Sequence, residues 1–230
     1  MTATTVRLDP HVHTAASHDA VGTVHEVLAH AHNRDVDVVA ITDHDTTVGA
    51  RRALSAQDRY DVTVIPGVEI STAEGHLLGL GVRDRPEVGE PLTDTVAWLR
   101  ERGGVAVVPH PFQVSRSGVR KRDLVDCDGI EVFNAWAMTG VQNRRADTFA
   151  TRHSYPKLGG SDAHEPAAVG RAYTEVRVES DRPPVEGVLA AVRAGRTRAV
   201  GRTTSTRRYV RKYTRAVGRR VRSSPVGGSS

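Results

Sequence analysis

Leu8 to Asp19, LDPHVHTAASHD, places three histidines and two aspartates within twelve residues. His11 and His13 are two apart, so on an extended chain they face the same side and can bind one metal ion together. Donors of the same kind recur downstream in Asp43-His44-Asp45, Glu69, His76, His110, Asp162 and His164. Imidazole and carboxylate without thiolate suit zinc, manganese or iron better than calcium or a cysteine-rich structural site. His11, His13, Asp19, His44, Glu69, His76, His110, Asp162 and His164 are more donors than one ion with open positions can use. Two or three divalent metal ions (Mn, Zn or Fe) are therefore expected. Such a centre lowers the pKa of bound water and neutralises phosphate oxygens, so the chemistry expected is hydrolysis of a phosphate ester by a metal-activated hydroxide. No nucleophilic side chain is required.

Residues spread over some 150 positions must be brought together by the fold. Short β-branched runs, VRL at 6–8, VDVVAIT at 36–42, VTVIP at 62–66, HLLGLGV at 76–82, VAVVP at 105–109, GIEVF at 129–133 and KLGG at 157–160, alternate with stretches of helical spacing. Val24, Val27, Leu28 and Ala31 form one such stretch, and Leu92, Val96 and Leu99 another. This alternation indicates an α/β fold with a mostly parallel sheet, and continuous apolar strands indicate burial on both faces, as in a barrel or doubly wound sheet. His11, His13, His44, Glu69, His110, Asn134, Asp162 and His164 all follow the carboxyl ends of these runs. In a parallel barrel those ends share one rim, where such folds carry their chemistry. A lone histidine is more often structural than a ligand, but so many polar groups at buried strand ends need a compensating charge, which a cation supplies.

In order along the chain, DPHVH, TDHD, GVE, HLLGL, PHP and GSDAH resemble the motifs of the PHP (polymerase and histidinol phosphatase) superfamily. The resemblance spans residues 6 to about 178. It implies a distorted (β/α)7 TIM-like barrel with a trinuclear metal site at the carboxyl ends of the strands. By the same resemblance His11, His13, Glu69 and Asp162 hold one metal, Glu69 bridges to a second held by His76 and His110, and Asp19, His44 and His164 hold the third. The form of the motif favours Asp19 over the adjacent His18. Asp9 and Asp43 are expected to accept a histidine N–H and fix its tautomer. Arg116 resembles the basic residue that family members place near the phosphate, whereas Arg120, Lys121 and Arg122 read as a solvated basic loop. Asn134 and Ser161 are candidates to orient phosphate or water. Family members acting on nucleotides often carry a long insertion between the segments matching His76 and His110, which is absent here.

Composition frames these readings. Eleven of the 32 basic residues and no acidic one lie within residues 196–222, so the rest of the chain is net acidic although the whole carries +5. We divide the chain into a barrel domain at 1–200 and a basic C-terminal tail at 201–230. The tail could be helical, with Val210, Tyr213, Val217 and Val221 along one stripe, before a disordered end. It reads as a nucleic-acid-binding arm using Tyr209 or Tyr213, as a helix docking on the barrel or acidic lipid, or as a solvated segment. No apolar run approaches the roughly 20 residues of a membrane-spanning helix, and no secretory signal is present, so a cytoplasmic protein is expected. The single cysteine, Cys127, reads as a buried structural residue.

The function expected is a metal-dependent phosphoesterase acting on a small phosphomonoester or a nucleotide. The alternatives are a 5′-to-3′ exonuclease or nucleotide phosphatase on nucleic-acid ends, a histidinol phosphatase, and a non-catalytic metal-binding accessory module.

Overall fold

The structure is a computed structural model that describes residues 4–137 and 140–202. The basic tail assigned to residues 201–230 lies almost wholly outside the described residues. The strands are β1 (Thr4–Val12), β2 (Val38–Ile41), β3 (Thr63–Ser71), β4 (His76–Leu80), β5 (Val105–Val108), β6 (Gly129–Asn134), β7 (Lys157–Gly160), β8 (Ala172–Val178) and β9 (Thr197–Gly201). They form one sheet in the order β7-β6-β5-β4-β3-β2-β1-β8-β9. The helices are α1 (Val24–His32), α2 (Val48–Ala56), α3 (Leu92–Glu101), α4 (Gly140–Arg152) and α5 (Val185–Arg193). Among the described residues no helix is long and apolar enough to cross a membrane.

The sheet curls until its first and seventh strands meet. Val12 bridges Ala163 just beyond β7. His13 N donates to Ala163 O at 2.9 Å, and Ala163 N donates to His11 O at 3.3 Å. Lower down, β8 runs antiparallel to β1 from Thr4↔Val178 to Leu8↔Thr174. Thr174 Oγ1 then completes the seam by bonding both Gly159 N and Gly159 O at 2.9 Å. The result is the distorted, nearly closed barrel expected.

Strand direction is mixed. β1–β2–β3 and β5–β6–β7 are parallel runs, but β4 is antiparallel to both its neighbours. The reason is local: only Thr72 to Gly75 separate β3 from β4, closed by Thr72 N to Gly75 O at 3.0 Å. A link that short can join only antiparallel strands, because a parallel crossover needs a dozen residues or more. Gly75 has φ 143°, outside the range side chains favour. His76, the first residue of β4, therefore pairs with Ser71 at the same rim as Glu69. β9 was not anticipated, since Thr-Arg-Ala-Val-Gly has little apolar signal; it pairs with β8 from Ala172↔Gly201 to Val176↔Thr197.

Alternate residues of the strands serve two cores, which explains their continuous hydrophobicity. Val38 and Ala40 join Leu8, Ile65, Leu78 and Leu158 in a cluster that α5 closes with Val188, Leu189 and Val192. Val39 and Ile41 pack with Val27, Leu28 and Ala31 of α1. The same alternation places α3 and α4 against β4–β6 through Leu99, Val108, Ile130 and Ala146. α1 begins at the capping box Thr23/Glu26, which satisfies two backbone N–H groups left unpaired at the helix start. Cys127 is buried in the last cluster, and burial pushes its thiol up to about 12.

Candidate metal centre

All nine residues singled out as donors reach the same rim, most of them on strand ends or the residues immediately following. Glu69, buried near the end of β3, organises them. Its Oε1 lies 2.8 Å from His76 Nδ1 and 3.1 Å from His110 Nε2. Its Oε2 lies 3.1 Å from His11 Nε2, 3.3 Å from His13 Nε2 and 3.3 Å from His44 Nδ1. Each oxygen of one carboxylate thus faces a different set of imidazoles.

Asp162 faces the group from the other side of the barrel seam. Its Oδ1 is 3.6 Å from His11 Nε2, 3.5 Å from His13 Nε2 and 3.2 Å from His164 Nδ1. Its Oδ2 accepts from Arg116 Nη2 and, at 3.0 Å, from Asn134 Nδ2. Asp162 and His110 have positive φ, 50° and 31°. Such geometry costs of the order of 1 kcal/mol or more per residue and persists only where the surroundings hold it. Here those surroundings include the hydrogen bonds to Asp162 and the one from His110 N to Glu131 Oε2 at 2.8 Å.

Asp19 Oδ2 lies 2.8 Å from His164 Nε2, and Oδ1 lies 3.8 Å from His44 Nε2. His18 is exposed, with its ring centroid 5.4 Å from that of His44. Four triads have donor atoms mutually within 4.8 Å: His13/His44/His164, His11/Glu69/His110, His11/His13/Asp162 and His44/Glu69/His76. They share members, so the donors form one continuous centre rather than three separate cages. A cavity of about 410 Å³ opens onto it, lined by Asp19, His44, Glu69, His76, His110 and Arg116 among others.

The electrostatics call for positive charge. Burial would raise the Glu69 carboxyl, but His11, His44 and His76 hold it well below the usual carboxylate range. Burial likewise opposes ionisation of Asp162, which Arg116 and His11 keep strongly acidic. Burial disfavours a charged His13, yet Asp162 and Glu69 raise it to about 9, and Asp162, Glu69 and Glu131 raise His11 well above its ordinary value. His44, dominated by burial, falls to about 4. Carboxylates that draw protons onto buried imidazoles are equally suited to divalent cations, which bind the same imidazoles in neutral form. Among the described residues His110 Nδ1 is buried with no hydrogen-bond partner, and His13 Nε2, also buried, has only the Glu69 and Asp162 oxygens at 3.3 and 3.5 Å. Nitrogen and oxygen donors of this number, with no sulfur among them, fit a divalent metal centre.

Several roles differ from expectation. Among the described residues neither Asp9 nor Asp43 hydrogen-bonds a histidine ring. Asp9 accepts from the backbone N–H of Ser161 at 3.0 Å and Gly170 at 2.8 Å, tying β1 to the segment after β7; burial raises it to about 6. Asp43 accepts from Thr14 N at 2.6 Å and from the Thr14 hydroxyl. The carboxylate that does hold a histidine is Glu131 of β6, which sequence reasoning missed: Oε1 is 3.2 Å from His11 Nδ1. Its signal was an acidic residue inside the apolar run GIEVF. Ser17 was also missed; its hydroxyl lies 3.2 Å from His13 Nδ1 and accepts from His44 N at 2.8 Å. Asn134 is fully engaged, accepting from Arg116 Nη1 at 3.1 Å and Trp136 N at 2.8 Å and donating to Glu131 and Asp162. Ser161 donates its backbone N–H to the Asp9 carboxylate and its hydroxyl to the His11 carbonyl rather than facing the cavity.

Comparison with known proteins agrees with this geometry. The PHP domain model matches residues 9–160, and a PHP-associated model matches residues 140–197. The chain is 34% identical to an uncharacterized protein of Methanocaldococcus jannaschii, over 61% of this chain and 89% of that protein. It is 37% identical to the 3′,5′-nucleoside bisphosphate phosphatase of Chromobacterium violaceum, over 77% of this chain and 93% of that protein. The fold resembles a two-domain protein of Bacteroides vulgatus containing a predicted PHP-like metal-dependent phosphoesterase, with TM-score 0.72 and 18% identity over 93% of this chain and 70% of that one.

Proposed function

The chain belongs to the PHP family, and on that premise we propose that this metal-dependent phosphoesterase hydrolyses a nucleotide phosphomonoester at a centre of two or three divalent ions. In this reading His11, His13, Glu69 and Asp162 hold one ion. Glu69 would share a second with His76 and His110, and Asp19, His44 and His164 would hold a third. The ions, manganese, zinc or iron by the donor chemistry, supply when bound both Lewis acidity toward the phosphate oxygens and hydroxide at neutral pH.

The protein's own groups set the geometry. Glu131 and Ser17 hold the far nitrogens of His11 and His13, which fixes where the near nitrogens point. Arg116 stands at the cavity wall with its guanidinium braced by Asp162 and Asn134, positioned to contact a phosphate oxygen that enters. Asp162 is correspondingly turned, one oxygen to Arg116 and the other to the imidazoles.

The division of the two Glu69 oxygens between separate imidazole groups is the observation that carries this reading. The nucleotide as substrate draws on the likeness to the Chromobacterium violaceum phosphatase, which this chain matches over most of its length. The test is phosphate release by manganese-loaded protein, repeated with zinc and iron, on nucleoside monophosphates, sugar phosphates and histidinol phosphate, with His13→Ala as control. Fastest hydrolysis of the nucleotides, abolished by the substitution, is expected. Preference for a sugar phosphate or histidinol phosphate would displace the nucleotide, and hydrolysis indifferent to His13→Ala would remove the centre from the reaction.

A further inference from the structure

Beside the histidine cavity lies a second concavity, of about 690 Å³, between α4 and the loop that follows β5. On α4 it is lined by Val141, Arg144, Arg145, Thr148, Phe149 and Arg152, spaced i, i+3, i+4, i+7, i+8 and i+11, one stripe of the helix. The opposite stripe, Asn143, Ala146 and Ala150, is buried against the barrel. Phe112, Val114, Arg120 and Lys121 form the loop wall.

Two features set this groove apart from an ordinary solvated basic surface. Arg120, Lys121, Arg144, Arg145 and Arg152 face it with no carboxylate among the lining residues. None of the five is in an ion pair among the described residues, while the neighbouring acids Asp123 and Asp147 are paired with Arg122 and Lys157. The groove also carries bare apolar side chains. Val114 and Val141 are 55% and 46% exposed, although most large hydrophobic side chains of the described residues are covered. Unneutralised guanidinium groups around bare apolar surface match a ligand that carries phosphate on an apolar or planar body.

The groove is mechanically joined to the histidine cavity. Val114 and Arg116 belong to the same single 3-10 turn, Val114 in the groove and Arg116 in the cavity. Phe112, at φ 67°, follows His110 by two residues, so the segment that places a candidate metal ligand also places an aromatic side of the groove.

We propose that this groove is a second-phosphate site: it receives the part of the substrate beyond the scissile phosphate, with a further phosphate on the α4 arginines, Arg120 and Lys121. The proposal rests on the phosphoesterase reading for the position of the scissile end. A nucleoside bisphosphate and a short 5′-phosphorylated oligonucleotide both carry the required chemistry, and substrate length distinguishes them.

The experiment compares manganese-loaded full-length protein with Arg144→Glu/Arg145→Glu on a nucleoside 5′-monophosphate, its 3′,5′-bisphosphate and 5′-phosphorylated di- and tetranucleotides. Alongside, fluorescence anisotropy follows binding of a 5′-phosphorylated, 3′-fluorescein tetranucleotide without added metal. The ratio of kcat/KM for two-phosphate over one-phosphate substrates is expected to fall, and the Kd for the probe to rise, each by about tenfold as phosphate contacts are lost. Arg144→Gln/Arg145→Gln should give a smaller loss in the same direction. An equal charge change on α2, Arg52→Glu/Arg59→Glu, should leave ratio and Kd in place. Unchanged values in the groove variants, or equal changes in the α2 variant, overturn the proposal. A preference that stops at the bisphosphate assigns a small molecule, and one that grows with length assigns a strand. Should wild-type protein hydrolyse none of these, the phosphoesterase reading fails while the anisotropy still decides the groove.

Discussion

Glu131 Oε1 stands 3.2 Å from His11 Nδ1 while Glu69 Oε2 stands 3.1 Å from His11 Nε2, so one imidazole is strung between two buried carboxylates. With Nδ1–H donating to Glu131, the Nε2 lone pair is directed into the centre. Glu131→Ala should therefore weaken metal binding by about 10- to 100-fold, with Glu131→Gln intermediate. Manganese titration by calorimetry reads this directly; unaltered affinity in the alanine variant would make Glu131 merely a filler of the barrel.

His13→Ala or Asp162→Ala should lower turnover on the order of 10³-fold or more, as expected for groups acting on transition-state charge, while the circular dichroism spectrum is retained. The fold rests on the apolar clusters and not on these rim residues. Turnover near the wild-type value, with metal content verified by elemental analysis, would contradict the assignment.

Gly160 closes β7 with no room for a side chain. A Cβ there would run into Glu131 Oε1 and stand 2.9 Å from His11 Cβ. Gly160→Ala should cost about 1–3 kcal/mol of stability by overpacking and should weaken metal binding together with it. Denaturant unfolding and metal titration on one preparation check the pair of effects.

Chelation should lower thermal stability, since ions that bind only the folded centre stabilise it by mass action, about 2.7 kcal/mol at a hundredfold excess over Kd. A melting temperature indifferent to chelator and to readded manganese would indicate that the rim donors bind no ion.

Cys127 supplies a pH dependence remote from the rim. Burial raises the folded thiol to about 12 from an ordinary value of 9.0. The unfolded chain therefore loses its proton first, and stability present below pH 9 should decline as pH rises toward 12. Cys127→Ala should flatten that decline in a comparison of unfolding free energies across the range. At neutral pH the thiol should react with alkylating reagents only as the protein unfolds.

The strands carrying donors were legible because each apolar run is buried on both sides and ends at a polar residue of the rim. His11, Glu69 and Asp162 announce themselves as charge abruptly following hydrophobic sequence. Glu131 was hidden by the same logic reversed, lying within an apolar run and partnered across the barrel by His11 and His110 as well as by Asn134 on its own strand. Asp9 and Asp43 stand beside histidines in sequence, but strand geometry turns their carboxylates to the backbone of Ser161 and Gly170 and to Thr14. The antiparallel course of β4 follows from a loop length that motif reading passed over. The groove beside α4 needed the helix phase and the loop after β5 together, which no single segment displays.

The turn from Thr72 to Gly75 makes chain length a dimension of the site. Ser71 is paired with His76 across it, and side chains along a strand alternate with period two. A slip of that pairing by one residue would rotate His76 to the opposite face of the sheet, and a slip by two would carry it about 6–7 Å along the strand, away from Glu69. The turn is tied on both sides, Ala73 N donating to Glu90 O at 3.0 Å and Leu92 N to Glu74 Oε2 at 2.8 Å, so the register that sets His76 beside Glu69 is anchored from outside the hairpin as well as within it.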